Sequence, residues 1–165
     1  EIDTANLIAE PFLTTQGICV MRAEHPLASQ EVIGPADLHD IPLVSLSPDD
    51  TARKQLDAAL ASAGAEPNVV VETQFAASVC QLVADGVGVG LTNAMAFVSS
   101  EFEASGLVAR KFEPAICFRT LLILPPQRSR SRLLDDLIVI LKRERDEVAR
   151  ICEDRFGIIQ AVVPD

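Results

Sequence analysis

The sequence predicts an α/β fold with largely parallel strand pairing, on three observations. Short β-rich apolar runs alternate with segments of helical periodicity, Gly and Pro mark the joins, and no fixed-period repeat or low-complexity tract interrupts the pattern. The hydrophobic share is 48% and the charged share 23% of 165 residues, the profile of a chain that buries a core rather than of a disordered one.

The elements follow in order. Gly17 to Met21 reads as a buried strand between the polar Thr14-Thr15-Gln16 and the charged Arg22-Ala23-Glu24. Pro26 lacks a backbone donor and pushes His25 toward an extended conformation, so the strand gives way to a connector there. Gly34 to Leu38 predicts one helical turn with Pro35 at its first position, followed by a strand over Pro42 to Leu46. Ser47-Pro48-Asp49-Asp50-Thr51 is a loop able to cap a helix from about Ala52 to Ala63, closed by Gly64. Leu56, Ala59, Leu60 and Ala63 recur at helical spacing and supply its inner face.

Asn68 to Thr73 is the next strand, and Gln74 to Ser78 leads into a helix that carries Val79, Leu82 and Val83 and stops at Gly86. Val87 to Leu91 is a strand, and Thr92-Asn93 opens a helix through Met95, Phe97 and Val98. Leu107 to Phe112 and Phe118 to Leu124 are strands parted by a bend at Glu113-Pro114, the second stopped by Pro125-Pro126. Ser131 to about Glu153 is the longest helical pattern, with Leu133, Leu134, Leu137, Ile138, Leu141, Val148 and Cys152 near one face. The apolar end from Gly157 to Asp165 has no assignment.

Gly86, Gly88 and Gly90 imitate a phosphate-binding loop, but the order is wrong for one. A dinucleotide fingerprint runs strand, GxGxxG, helix, whereas here a helix ends and the glycines lead into a strand at spacing two. At that spacing they share one strand face, where missing side chains let a helix come close, and Gly86 suits the left-handed turn past a helix end.

Charge excludes other classes. With 24 acidic and 14 basic residues the net charge is −10, which repels nucleic acid and anionic membrane surfaces. Runs such as Leu121–Leu124 and Leu137–Leu141 are too short to span a bilayer, and the Glu-Ile-Asp start has no basic, apolar signal region, so export is not expected. Cys19, Cys80, Cys117 and Cys152 lie far apart without a CxxC pair and read as reduced thiols in a cytoplasm.

His25-Pro26-Leu27-Ala28, Leu38-His39-Asp40-Ile41-Pro42-Leu43-Val44 and Leu82-Val83-Ala84-Asp85-Gly86-Val87-Gly88-Val89-Gly90-Leu91 occur in an order and spacing that resembles the effector-binding domain of LysR-type transcriptional regulators. The resemblance covers about Asp3 to Glu147. It implies a two-lobed, type II periplasmic-binding-protein-like fold with the second lobe complete and the first lobe partial. On that basis residues 1–40 and 113–153 are expected to form the partial first lobe, 41–112 the second lobe and 154–165 a C-terminal tail. The family's N-terminal winged helix-turn-helix is absent here, so any DNA contact would run through that missing part. The family also implies a homo-oligomer, a dimer or tetramer. Leu91 to Ala96, Phe112-Glu113-Pro114 and Phe118 to Arg128 resemble the regulators of opine catabolism and lysine biosynthesis, which respond to amino-acid derivatives.

In a two-lobed sensor the ligand sits at strand carboxyl ends and helix N-termini, where free N–H groups and the positive helix end attract a carboxylate. That selects Ser45, Ser47 and Thr51 around one strand-to-helix turn, Thr73, Gln74, Phe75 and Ala76 around the next, and Asn93 at a third. Each has a plainer alternative. Ser47, Asp49, Asp50 and Thr51 would serve equally as helix caps, Phe75 as core, Ser78 as a partner of its own backbone, and Asn93 as a cap. Asp49 and Asp50 are the nearest partners for a cationic ligand group, though exposed acids are commonly solvated. Arg128, Arg130 and Arg132 form a basic cluster that is either a solvated loop or a contact to a lobe or subunit.

No catalytic constellation is visible. His25 and His39 have no metal-ligand spacing, there is no GxSxG elbow, and no cysteine has a histidine in its local pattern, so neither a metal nor a cofactor is expected. The function expected is effector sensing for transcription, with a small carboxylate metabolite such as an amino acid or opine as ligand and no membrane partner. A solute-binding protein of a transport system is the first alternative, and an enzyme on a doubly wound fold the second.

Overall fold

A computed structural model describes residues 7–98, 102–124 and 131–157. Among the described residues the seven strands are β1 (Ile8–Arg22), β2 (Val32–Ile33), β3 (Pro42–Leu46), β4 (Asn68–Thr73), β5 (Val89–Asn93), β6 (Leu107–Phe112) and β7 (Cys117–Leu124). They form one sheet in the order β2-β6-β1-β5-β3-β4, with β7 paired to β1. The helices are α1 (Thr51–Ala63), α2 (Ala76–Ala84), α3 (Ala94–Val98) and α4 (Arg132–Phe156).

The sheet is mixed, which corrects the expectation of largely parallel pairing. β3 runs parallel to β4 and β5, and β2 to β6, but β1 is antiparallel to β5, β6 and β7. β1 reaches none of those neighbours through a single crossover helix, so the parallel rule of βαβ units does not bind it.

β1 also extends nine residues ahead of the strand expected at Gly17. Its outer half pairs with β7 from Ile8 opposite Leu124 to Gln16 opposite Cys117, with a register shift between Pro11 and Leu13. Its inner half is held on both sides, Gly17–Val20 by β5 and Ile18–Arg22 by β6. The division expected at residues 40 and 41 therefore falls inside one sheet, because β1 and β2 hydrogen-bond directly to strands of the 41–112 segment.

Apolar runs without polar alternation are what a strand covered on both faces requires. Cys19 and Met21 turn to one core with Leu43, Leu56, Leu60, Val89 and Phe112, which α1 covers. Ile18 and Val20 turn to the other with Val44, Val79, Val83 and Phe97, which α2, α3 and the end of α4 cover. The connector after β1 forms a 3₁₀ turn over Pro26–Ser29, in which His25 Nδ1 accepts from Leu27 N at 3.2 Å. Arg110 on β6 fastens it by donating to Ala28 O and Gln30 O.

The glycines serve packing. A Cβ on Gly90 would fall far inside contact distance of Val79 Cγ1 and 3.2 Å from Val83 Cγ2, so α2 rests on its bare backbone. At Gly88 the obstacle is the Pro42 carbonyl of β3, a strand rather than the expected helix. Gly86 has φ +83° just past α2, the left-handed conformation that favours glycine.

Two boundaries move. β5 begins at Val89 and continues through Thr92 and Asn93, which pair with Ile18 and Gly17 of β1, and the expected helix follows at Ala94 with Asn93 as its cap. α4 runs to Phe156, three residues past the expected end, and Gly157 closes it at φ 60°. Its buried side chains are Ile138, Arg145, Ala149 and Cys152, whereas Leu133, Leu137 and Leu141 of the expected inner face are exposed. Pro125-Pro126, Arg128, Arg130 and the end beyond Gly157 lie outside the described residues. Among the described residues no helix is long and apolar enough to cross a membrane.

Candidate functional site

α1 starts where the loop after β3 turns, and Asp50 is its cap. The Asp50 carboxylate accepts from Ala52 N at 2.7 Å and Arg53 N at 3.2 Å, so the capping alternative holds for this residue. Arg53 then ties the first turn to the sheet: its guanidinium donates to Leu46 O at 2.9 Å, Glu72 at 2.9 Å and Asp57 at 2.7 Å.

A cleft of about 660 Å³ opens beside this helix start. Asp50, Thr51, Ala52 and Gln55 form one wall, Asn93 lies at the end of β5, and Cys117, Phe118, Arg119 and Thr120 of β7 form the other. Gln55 joins the walls, donating to Cys117 O at 3.1 Å and accepting from Cys117 N at 3.0 Å. Arg119 in the lining favours an anion, while Asp50, the one carboxylate in the lining among the described residues, already takes the first N–H groups of α1.

The expected site residues divide into two groups. Thr51 and Asn93 line the cleft. Asn93 is also the cap expected of it, its Oδ1 accepting from Met95 N at 2.8 Å and from Thr15 Oγ1 at 2.8 Å. Ser47, Thr73, Gln74, Phe75 and Ala76 gather instead at the carboxyl ends of β3 and β4 and the start of α2. There Ser47 N donates to Thr73 O at 2.9 Å, Phe75 N to Thr73 Oγ1 at 3.3 Å, and Thr92 Oγ1 to Ala76 O at 3.3 Å. Phe75 is 67% exposed, which removes the core alternative for it. Ser45 is buried in β3, with a hydroxyl that has no hydrogen-bond partner among the described residues.

Gln55, Arg119 and Thr120 were not among the expected contacts. β7 reads as an apolar strand of a first lobe, yet the pair Arg119-Thr120 inside CFRTLLIL is the polar interruption that marks its cleft-lining end. Arg132 is the first residue of α4.

The four cysteines are free, and Cys19, Cys80 and Cys152 are buried. Burial drives the Cys19 thiol far above its ordinary pKa and pushes Cys80 up to about 11, so both stay protonated and unreactive near neutrality. No group of three or more His, Cys, Asp or Glu among the described residues is placed to hold a metal ion.

A helix-covered mixed sheet with a cleft at a helix start and a crossover strand defines a ligand-binding α/β domain of the periplasmic-binding-protein type. Residues 1–146 match the LysR substrate binding domain, and the chain belongs to that family as an effector-binding domain of LysR-type regulators. It is 37% identical over 123 residues to the transcriptional activator protein LysR of Escherichia coli K12, covering 74% of this chain and 39% of that protein. It is 31% identical over 134 residues to the regulatory protein NocR of Agrobacterium tumefaciens T37, covering 81% and 44%. The chain thus spans less than half the length of these relatives.

Solved structures share the fold at low identity. The Synechocystis CcmR regulatory domain in complex with 2-PG matches with a TM-score of 0.65 at 18% identity, over 85% of this chain and 67% of that one. The effector binding domain of QuiR in complex with shikimate matches with a TM-score of 0.65 at 16% identity, over 89% and 69%.

Proposed function

We propose that this domain senses a small carboxylate metabolite, an amino acid or opine, in the cleft between α1 and β7. The observation that carries the reading is the presence of Arg119 and the Asn93 amide in the lining of a cleft of about 660 Å³, a cationic and a polar partner for one anionic group. The complexes of CcmR with 2-PG and of QuiR with shikimate support a small ligand on this fold.

On this reading the outer β1–β7 ribbon and α4 are the partial first lobe, and the sheet from β1's inner half onward is the second. Ser47, Thr73, Gln74, Phe75 and Ala76 border the ligand from the second lobe as the lobes close. Closure changes a DNA-binding segment carried elsewhere in the protein, and does so only to the extent that the ligand binds one lobe arrangement better than the other. Such a regulator acts in the cytoplasm as a homo-oligomer, and the reading assigns it no catalysis.

The test is a calorimetric titration of the chain with amino acids, opines and shikimate, repeated on Arg119→Gln. At least one carboxylate should bind, and the variant should weaken it roughly tenfold, as expected for one lost charge-assisted hydrogen bond. Its melting temperature should stay within about 4 °C, since Arg119 is exposed. Equal affinity of every bound carboxylate for both proteins removes Arg119, and with it the proposed cleft.

A further inference from the structure

We propose that Thr15, on the crossover strand β1, sets the chemical polarity of the cleft by holding the Asn93 amide so that it presents only hydrogen-bond donors. The inference rests on the reading of this cleft as the effector site.

Asn93 can be oriented without ambiguity. The atom that meets Met95 N at 2.8 Å must be the side-chain oxygen, because a backbone N–H donates and cannot accept. The Thr15 hydroxyl reaches the same oxygen, also at 2.8 Å. An amide oxygen has two lone pairs, so these two donors fill its capacity. The nitrogen, with two hydrogens, is the end that remains, and among the described residues nothing accepts from it.

Thr15 acts through Asn93 and not on a ligand. It is 2% exposed and absent from the cleft lining, and it sits in the β1–β7 ladder opposite Phe118, which does line the cleft. Met95 N alone would pin the amide by one bond that α3 fraying can break, since α3 is only five residues long. The Thr15 hydroxyl adds a second anchor from a different element, 78 residues away in the chain.

The consequence is selective. Two N–H donors from Asn93, with Arg119 in the same lining, let a carboxylate or carbonyl oxygen be accepted at this point, while the Asp50 carboxylate is engaged by Ala52 N and Arg53 N. An ammonium group at the same point meets hydrogens with no lone pair to take its own, which discriminates against it.

The test uses the whole chain with ¹⁵N labelling, shikimate and acetate as carboxylate probes, and n-butylamine as the cationic control. Either carboxylate should move the Asn93 side-chain NH₂ signals, and n-butylamine should not. Asn93→Asp keeps an oxygen for Thr15 and Met95 but turns a second oxygen to the cleft. It should weaken carboxylate binding at least tenfold. Thr15→Val should displace the Asn93 NH₂ signals in the free protein and weaken carboxylates severalfold, and Thr15→Ser should restore both.

Asn93 signals that are the same in Thr15→Val as in the wild type overturn the positioning role. Carboxylates that perturb Thr51 and Arg119 but leave Asn93 untouched, or that bind Asn93→Asp as tightly as wild type, overturn the polarity role and leave the cleft reading standing. If no cleft residue responds to either carboxylate, the cleft reading fails and this inference falls with it.

Discussion

The two halves of β1 share a backbone and differ in everything around it. Over Gly17–Met21 the strand lies between β5 and β6 with a helix layer on each face, and Ile18 and Val20 are 0% exposed. Over Ile8–Gln16 its one strand partner among the described residues is β7, and Ile8 with Leu121 and Ile123 of β7 remains 43%, 51% and 56% exposed. The same contrast runs along α4, where Cys152 is fully buried and Leu133 is 78% exposed. Burial in the outer half alternates, with Leu13 and Thr15 each 2% exposed and Ile8 open, so the elements that flank a position decide its burial there rather than hydropathy alone.

Three experiments act on that contrast. Gly88→Ala addresses the closely covered half, where a new methyl would overlap the Pro42 carbonyl. Because the obstacle is backbone, β3 must shift, and the loss should be about 3 kcal/mol, read from the denaturant midpoint. Stability equal to wild type would show that β3 yields freely and that the inner region is loosely packed. Next comes Asp50→Ala, which removes two hydrogen bonds from the start of the helix covering one core face. About 1 kcal/mol should be lost in the same assay, and no loss would mean that the first turn of α1 is held by Arg53 alone. The smallest effect belongs to Leu137→Gln in the open half of α4, below about 0.5 kcal/mol. A loss in the range of a core leucine, about 2–5 kcal/mol, together with a change in sedimentation would show that this face is covered by a second copy in solution.

Local chemistry made much of the region from β3 to α1 legible. The strand at Pro42–Leu46, the acidic loop before α1, and Gly64 past its end each carry their own signal within a few residues, and the structure has α1 over Thr51–Ala63 with Gly64 left-handed at φ 63°. Polar residues hid the rest of β1: Thr14, Thr15 and Gln16 look like the end of a loop, yet pairing with β7 satisfies their backbone. Thr92 and Asn93 read as a helix start because asparagine favours caps as well as strand ends, and Asn93 serves as both.

In the cleft the same rule holds. Thr51 and Asn93 sit at a helix start and a strand end, features a single stretch of sequence announces. Gln55 and Arg119 enter only because β7 folds back onto α1, a contact 62 residues apart in the Gln55–Cys117 pair, and no local pattern encodes it.

That pair also has a topological consequence. Cys117 opens β7 with its backbone N–H and C=O both turned to α1, where a neighbouring strand would normally take them. The Gln55 amide has the same donor and acceptor as a peptide group, and it answers both from a helix. One side chain thus impersonates a strand for a single rung, sealing an edge that would otherwise be open to addition by another chain.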